Sequence, residues 1–208
     1  MGGFGDPRGL EVLGWHTLRD AEASSLVEFA ICLPLLVVLA VGIFDFGGAF
    51  NQKQMLNNAV REGARFGAAQ PTNDLCGSCS APASVNAIRL LVDSYLLAAQ
   101  VNDCGLSGAA VPGSGPPWVY TANTSCAGTL TLTISRDPPT GSSASPTCSI
   151  TINNYGASGV TVYAPCTQVS ISYPYQWHFS NVIQLVAPGA SYASVSNITT
   201  NATAVNMD

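Results

Sequence analysis

The sequence is poor in charge: 9% of its 208 residues are Asp, Glu, Lys or Arg, against roughly a quarter in an ordinary soluble domain. Cations are scarcest, 7 Lys+Arg against 12 Asp+Glu, for a net charge of −5. After Lys53 they are Arg61, Arg65, Arg89 and Arg136 alone. No basic patch exists to neutralise phosphates, which excludes nucleic acid as a partner. Glutamate stops at Glu62, so the paired carboxylates of glycosidase chemistry have little to draw on. Of the two histidines only His178 lies beyond the N-terminal region. With no G-x-S-x-G and only scattered acids, no hydrolytic triad is legible, and His178 in YPYQWHF reads as a packed or surface residue. Gly113-Ser114-Gly115 has no following helix and is not a phosphate cradle. The chain reads as a non-enzyme that needs no cofactor or metal. Disorder is excluded too, because disordered chains are rich in charge and poor in apolar residues, and this one is 47% apolar. Its length suits one domain with appendages.

Much of the apolar content is concentrated. Phe29 to Phe44 reads FAICLPLLVVLAVGIF without a charge, roughly 24 Å of helix. Adding Leu26, Val27 and Phe46 to Phe50 extends it to roughly 37 Å, enough for a hydrocarbon core of about 30 Å. Glu28 and Asp45 then stand near the two ends, and Pro34 is of a kind that membrane helices tolerate. A cleaved secretory signal is the rival, with Gly47 and Ala49 before a cut at Phe50, but an acidic flank (Asp6, Glu11, Asp20, Glu22) is unlike a signal peptide. Orientation is read in two ways. Counting cations puts the C-terminal side in the cytoplasm; the cysteines put it outside, and they carry more weight.

Past Asp45, FGGAFNQKQMLNNAVREGARFGAAQ continues the helix as an amphipathic one. Phe46, Ala49, Phe50, Leu56, Val60, Gly63 and Gly67 share a face, with Lys53 as the miss. Ala59, Gly63 and Gly67 form a small-residue stripe that lets another backbone approach closely, either the chain's own sheet or a partner subunit. Pro71 ends the helix. Val85 to Val101 has helical periodicity, and Gly105 to Pro117 is turn-rich. Period-two segments follow at Thr129–Ser135, Ser149–Asn153, Val160–Tyr163 and Thr167–Tyr173, with breaks at Asp137-Pro138-Pro139-Thr140-Gly141 and Asn154-Tyr155-Gly156. Val182 to Val186 is helix or strand, and the tail from Ala193 suits a final strand. The fold class is α+β: a long N-terminal transmembrane helix running on as an amphipathic helix, a second helix, then a small antiparallel sheet.

Seven cysteines divide as one plus six. Cys32 lies in the apolar span as a small buried thiol. Cys76, Cys79, Cys104, Cys126, Cys148 and Cys166 follow it, an even set that reads as a disulfide framework with fifteen pairings. Each bridge is worth about 2–4 kcal/mol. Cys76-Gly77-Ser78-Cys79 has dithiol spacing, but no strand leads into it and no second CxxC completes a zinc site. Sequons at Asn123, Asn197 and Asn201 carry little weight in a chain so rich in Asn, Ser and Thr.

Four stretches, Ser24-Ser25-Leu26-Val27-Glu28-Phe29-Ala30, Leu33-Pro34-Leu35-Leu36, Phe44-Asp45-Phe46-Gly47 and Asn58-Ala59-Val60-Arg61-Glu62-Gly63-Ala64-Arg65-Phe66-Gly67, resemble the TadE-type pseudopilins of tight-adherence (Flp-type) pilus assembly systems. Tyr173-Pro174-Tyr175 is similar to a weaker feature of that family. The resemblance covers about residues 24–70 and implies a minor pseudopilin of pilin-like architecture. Residues 1–23 would be a cytoplasmic leader, 24–70 the membrane-spanning and extended helix, and 71–208 an extracytoplasmic domain. A prepilin peptidase would cut between Ala23 and Ser24, Ala23 standing where Gly is more usual. Further partners would be the bilayer of the inner membrane, other pilins and pseudopilins, and platform proteins. A carboxylate on a membrane helix is costly unless paired or interfacial. The new α-amino group of Ser24 would offer Glu28 of a neighbouring subunit a counter-charge; the plainer reading is that Glu28 snorkels. The alternative function is an uncleaved, adhesin-like binding module whose aromatic cluster Tyr173, Tyr175, Trp177 and Phe179 contacts a surface or glycan. A secreted disulfide-rich domain is a third.

Overall fold

The computed structural model describes residues 12–76, 79–137, 148–152, 160–177, 189 and 195–207. In chain order the elements are α1 (Val12–Ala68), α2 (Ala83–Ala98), a 3-10 turn (Leu106–Gly108), β1 (Trp118–Ala122), β2 (Leu130–Arg136), β3 (Cys148–Ile152), β4 (Val160–Ala164), β5 (Cys166–Gln176) and β6 (Val195–Val205). This is the α+β arrangement that the patterning predicts. The chain divides into two compact units, Met1–Phe46 with His178–Tyr192 and Gly47–Trp177 with Ala193–Asp208.

In the first unit residues 12–46 are helical, and most of the large apolar side chains from Leu26 to Phe46 are bare. Leu26, Phe29, Ile31 and Leu35 are exposed, and Phe44 keeps 80% of its surface. A helix that is apolar all round and uncovered by protein has lipid as its natural surroundings. Its length and composition suffice to cross a membrane. Pro34 sits inside the helix. α1 begins at Val12, inside the segment expected to be a leader; from Val12 to Ala23 no proline interrupts it.

The second unit is built on a four-stranded antiparallel sheet of order β1-β2-β5-β6. Period-two alternation sends Leu130, Leu132 and Ile134 of β2 inward and Thr131, Thr133 and Ser135 outward. Register carries the outer rows across the sheet. Thr121, Thr131, Ser172 and Thr199 are aligned, as are Val119, Thr133, Ser170 and Asn201. None of these outer positions is charged. On the inner face Leu56 and Val60 of α1, Val85, Ile88, Val92 and Leu96 of α2, and Trp118, Tyr120, Val169 and Ile171 of the sheet form the core.

α2 has Pro82 at its start and no side-chain cap of its own. Asp74, ten residues earlier, accepts from the backbone N–H of Ser84 at 3.1 Å, which places a carboxylate at a helix N-terminus. β3 and β4 make a separate two-stranded sheet, fastened to the start of β5 by the Cys148–Cys166 bond.

The strands expected at 129–135, 149–153, 160–163 and 167–173 appear within a few residues, and β6 takes the tail. β1 was not expected, because it directly follows the turn-rich stretch ending at Pro117. Its sequence WVYTA alternates buried and exposed positions. Positions 138–141, 154–156 and 182–186 lie outside the described residues.

Candidate assembly site

Glu28 is exposed on α1, amid exposed apolar side chains. Ala23 and Ser24 lie on the same helix. Asp45, at the other end of the apolar stretch, is buried. Glu28 stands as an acid on an apolar surface.

The small-residue stripe is placed differently. Ala59, Gly63 and Gly67 are all buried. A methyl group added at Gly63 would stand 2.8 Å from Val92 Cγ2 and 3.7 Å from Val169 Cγ1. At Gly67 it would stand 2.6 Å from both Ile88 Cδ1 and Thr167 Cγ2. The stripe therefore lies against α2 and β5 of its own chain, the first of the two options. Phe46 and Phe50, assigned by periodicity to the same face as Leu56 and Val60, are exposed; their periodicity continues the bare apolar surface of the preceding turns.

All six cysteine candidates are bonded, as Cys76–Cys79, Cys104–Cys126 and Cys148–Cys166. Cys32 is a free and exposed thiol. Of the aromatic cluster, Tyr173 and Tyr175 are buried, at 6% and 8% exposure. Tyr175 packs edge-on against Trp177 at 4.9 Å, and Trp177 Nε1 donates to Ser196 Oγ at 2.6 Å. Phe179 and His178 lie outside the described residues.

Sequence reasoning passed over Arg136, the most deeply buried cation among the described residues. It closes β2 on the inner face, fully buried. Its Nη2 donates to Gln70 O at 2.8 Å and its Nη1 to Ser84 Oγ at 2.6 Å. Its Nε donates to Thr167 Oγ1 at 3.2 Å. One guanidinium thus satisfies a carbonyl just past α1, the start of α2 and the start of β5, using the fork of donors that only Arg has. The signal was present in the alternation of LTLTISR, which puts position 136 inward with Leu130, Leu132 and Ile134. A second buried cation, Arg89, lies 5.5 Å from the Tyr120 ring centroid. Nearby, burial and the neighbouring Asp103 push the Asp93 carboxyl up to about 6. Burial also raises the phenols of Tyr120 and Tyr173 above their ordinary range. Among the described residues no group of three or more His, Cys, Asp or Glu could hold a metal ion.

Among the described residues one bare apolar helix is long and apolar enough to cross a membrane, and it precedes a disulfide-bonded α+β unit. Residues 23–65 match the family model described as TadE-like protein. The resemblance carried by VEFA, the leucine-proline run, FDFG and AVREGARF is borne out over that stretch, and this part of the chain is TadE-like. No curated protein and no solved structure matches the chain.

Proposed function

We propose that this protein is a minor pseudopilin, a structural component of tight-adherence (Flp-type) pilus assembly that acts by packing its N-terminal helix with partner subunits in the membrane. One coincidence carries the reading: the TadE-like stretch, residues 23–65, takes in the part of α1 from Leu26 to Phe50 whose large apolar side chains are mostly exposed and which bears Glu28. A surface of that kind is stable only in lipid or against other apolar helices. In this reading residues 1–23 are a cytoplasmic leader, removed between Ala23 and Ser24 by a prepilin peptidase. Residues 71–208 stand outside the inner membrane. The protein catalyses nothing; its partners are pilins, pseudopilins and platform proteins. Glu28 meets the freed α-amino group of Ser24 on an adjacent subunit, because an unpaired carboxylate on a membrane helix is costly. The burial of Tyr173 and Tyr175 weighs against the adhesin-like alternative, which needs those rings at the surface.

The test has two arms. N-terminal sequencing of the protein extracted from membranes should find Ser24 first. Glu28→Leu should reduce piliation while the protein still accumulates in the membrane. An intact leader, or normal fibres in the Glu28→Leu strain, would refute the proposal.

A further inference from the structure

The second unit is graded along α1, and the grading can be traced contact by contact. A methyl group added at Gly67 would stand 2.6 Å from Thr167 Cγ2, one at Gly63 3.7 Å from Val169 Cγ1, and one at Gly48 3.1 Å from the Tyr175 hydroxyl. β5 therefore runs back along α1, from Thr167 beside Gly67 to Tyr175 beside Gly48. The lengths agree: the helix rises roughly 28 Å between those glycines, and the strand covers roughly 27 Å between their partners.

Charge collects at the Gly67 end. Strands β1, β2, β5 and β6 hold a single charged side chain, Arg136, which reaches Gln70 O just past α1. Asp74 bonds Ser84, itself a partner of Arg136, and Asp137 accepts from the Cys166 N–H at 3.0 Å. The Gly48 end is of another character. Residues 47–52, 126–130, 173–177 and 195–198 include no Asp, Glu, Lys or Arg. Register gathers the strand segments there: Gln176 pairs with Val195, and Gly128 lies against Pro174 and Val195.

Phe50, Trp177 and Lys53 suit a layer between hydrocarbon and water. Phe50 keeps 65% of its surface, so the bare apolar surface of α1 runs past the level of Tyr175. Trp177 is half-buried. Tyr175 braces it edge-on at 4.9 Å, and its Nε1 donates to Ser196 Oγ at 2.6 Å, so the indole N–H makes no demand on water. Lys53, about one helical turn beyond Phe50, is exposed, and its long stem carries an ammonium to the reach of lipid phosphates. An exposed apolar patch with a polar rim marks a contact surface, and aromatic rings beside an apolar helix of membrane-crossing length mark headgroup depth.

We propose that the end of the second unit bearing Phe50 and Trp177 is seated in the headgroup layer of a lipid bilayer, with Gln176 at the contact and the Arg136 end turned to water. The proposal depends on the reading of α1 as a membrane helix and adds to it a docking surface on the folded unit itself. Its partner is the phospholipid interface, recognised by an apolar ring on α1, an indole on the chain just past β5 and a cation one turn further along the helix.

The test reconstitutes the full chain in phosphatidylcholine bilayers with Cys32→Ser, which removes the free thiol, and one nitroxide on Gln176→Cys or Thr203→Cys. Both positions are exposed, and Thr203 pairs with Gln168 near the Gly67 end. The ratio of collisions with oxygen to collisions with a water-soluble nickel chelate should be several-fold higher at 176 than at 203. A second measurement adds no thiol. In a Trp15→Phe background, phosphatidylcholine brominated on its acyl chains close to the headgroup should quench Trp177 fluorescence. Trp177→Phe should lose that quenching, because the remaining Trp118 is fully buried. Equal collision ratios at the two positions of an embedded chain, or quenching that survives Trp177→Phe, overturn the seating and leave the membrane helix standing. A chain that does not enter bilayers overturns both.

Discussion

Replacing Arg136 with Met keeps an unbranched apolar stem of similar reach and removes only the guanidinium. In the wild type that group donates to Gln70 O, Ser84 Oγ and Thr167 Oγ1 and approaches Pro71 O at 3.4 Å. The two hydroxyls retain other partners, since Ser84 Oγ bonds Asp74 Oδ1 at 3.0 Å and Thr167 Oγ1 bonds Asn206 Oδ1 at 2.9 Å. The carbonyls of Gln70 and Pro71 lose the donor that satisfies them. An orphaned acceptor costs about 1–3 kcal/mol when fully buried, and less here, because Gln70 is half-buried and Pro71 is exposed; the rest of the loss comes from the charge-assisted bonds to Ser84 and Thr167. Part of this is offset because a charge no longer has to be held out of water. The net loss should be about 3 kcal/mol, at the lower end for a broken buried charged network. For a unit of this size that corresponds to a fall in Tm of about 6–12 °C. Near-UV circular dichroism of the detergent-solubilised full chain, dominated by the fully buried Trp118, would follow the transition. Arg136→Lys should fall between, since a single ammonium cannot span the same acceptors. A Tm within about 2 °C of wild type for Arg136→Met would refute the idea that this guanidinium joins α1, α2 and β5.

Two further predictions concern packing and covalent closure. Gly67→Val should lower the same Tm by several degrees, because its first added carbon would meet Ile88 and Thr167 at 2.6 Å and overpacking costs about 1–3 kcal/mol. Gly47→Ala, with nothing within 4 Å, should be neutral or stabilising by up to about 1 kcal/mol; equal effects at the two glycines would contradict the close approach. Replacing Cys104 and Cys126 together by Ser should cost about 3 kcal/mol for a loop of this length, with a sequence separation of 22. Thermal melts of that double variant unchanged from wild type would show the bridge to be energetically idle.

The two helices were legible because apolar residues recurring about every 3.6 positions over a long segment line one side of a helix and cannot line one side of a strand. The apolar run from Phe29 to Phe44 and the stop at Pro71 were equally plain. β2 and β5 could be read from TLTLTIS and TQVSISY, where period two is unbroken. β1 escaped because its five residues follow Gly115-Pro116-Pro117 closely, and turn chemistry masks so short an alternation. The cysteine pairing was beyond reach in principle. Any of fifteen arrangements satisfies six thiols, and only the spatial neighbours that the fold creates can choose among them.

Local pattern also ran out at the residues that bind distant elements together. Arg136, Arg89 and Asp74 look in the sequence like sparse surface charges, and their sparsity is itself informative, since an uncharged surface follows from a 9% charged composition. Composition and periodicity by themselves determined the apolar helix, the amphipathic continuation and the α+β order, and four short motifs carried the resemblance to the TadE-type family, because each is written in residues near one another along the chain. The tertiary structure alone decided that Gly63 and Gly67 serve this chain's own α2 and β5, and that Arg136 joins segments more than sixty residues apart. Those outcomes depend on which surfaces meet in space, and burial turns such meetings into large energies only once the chain has folded.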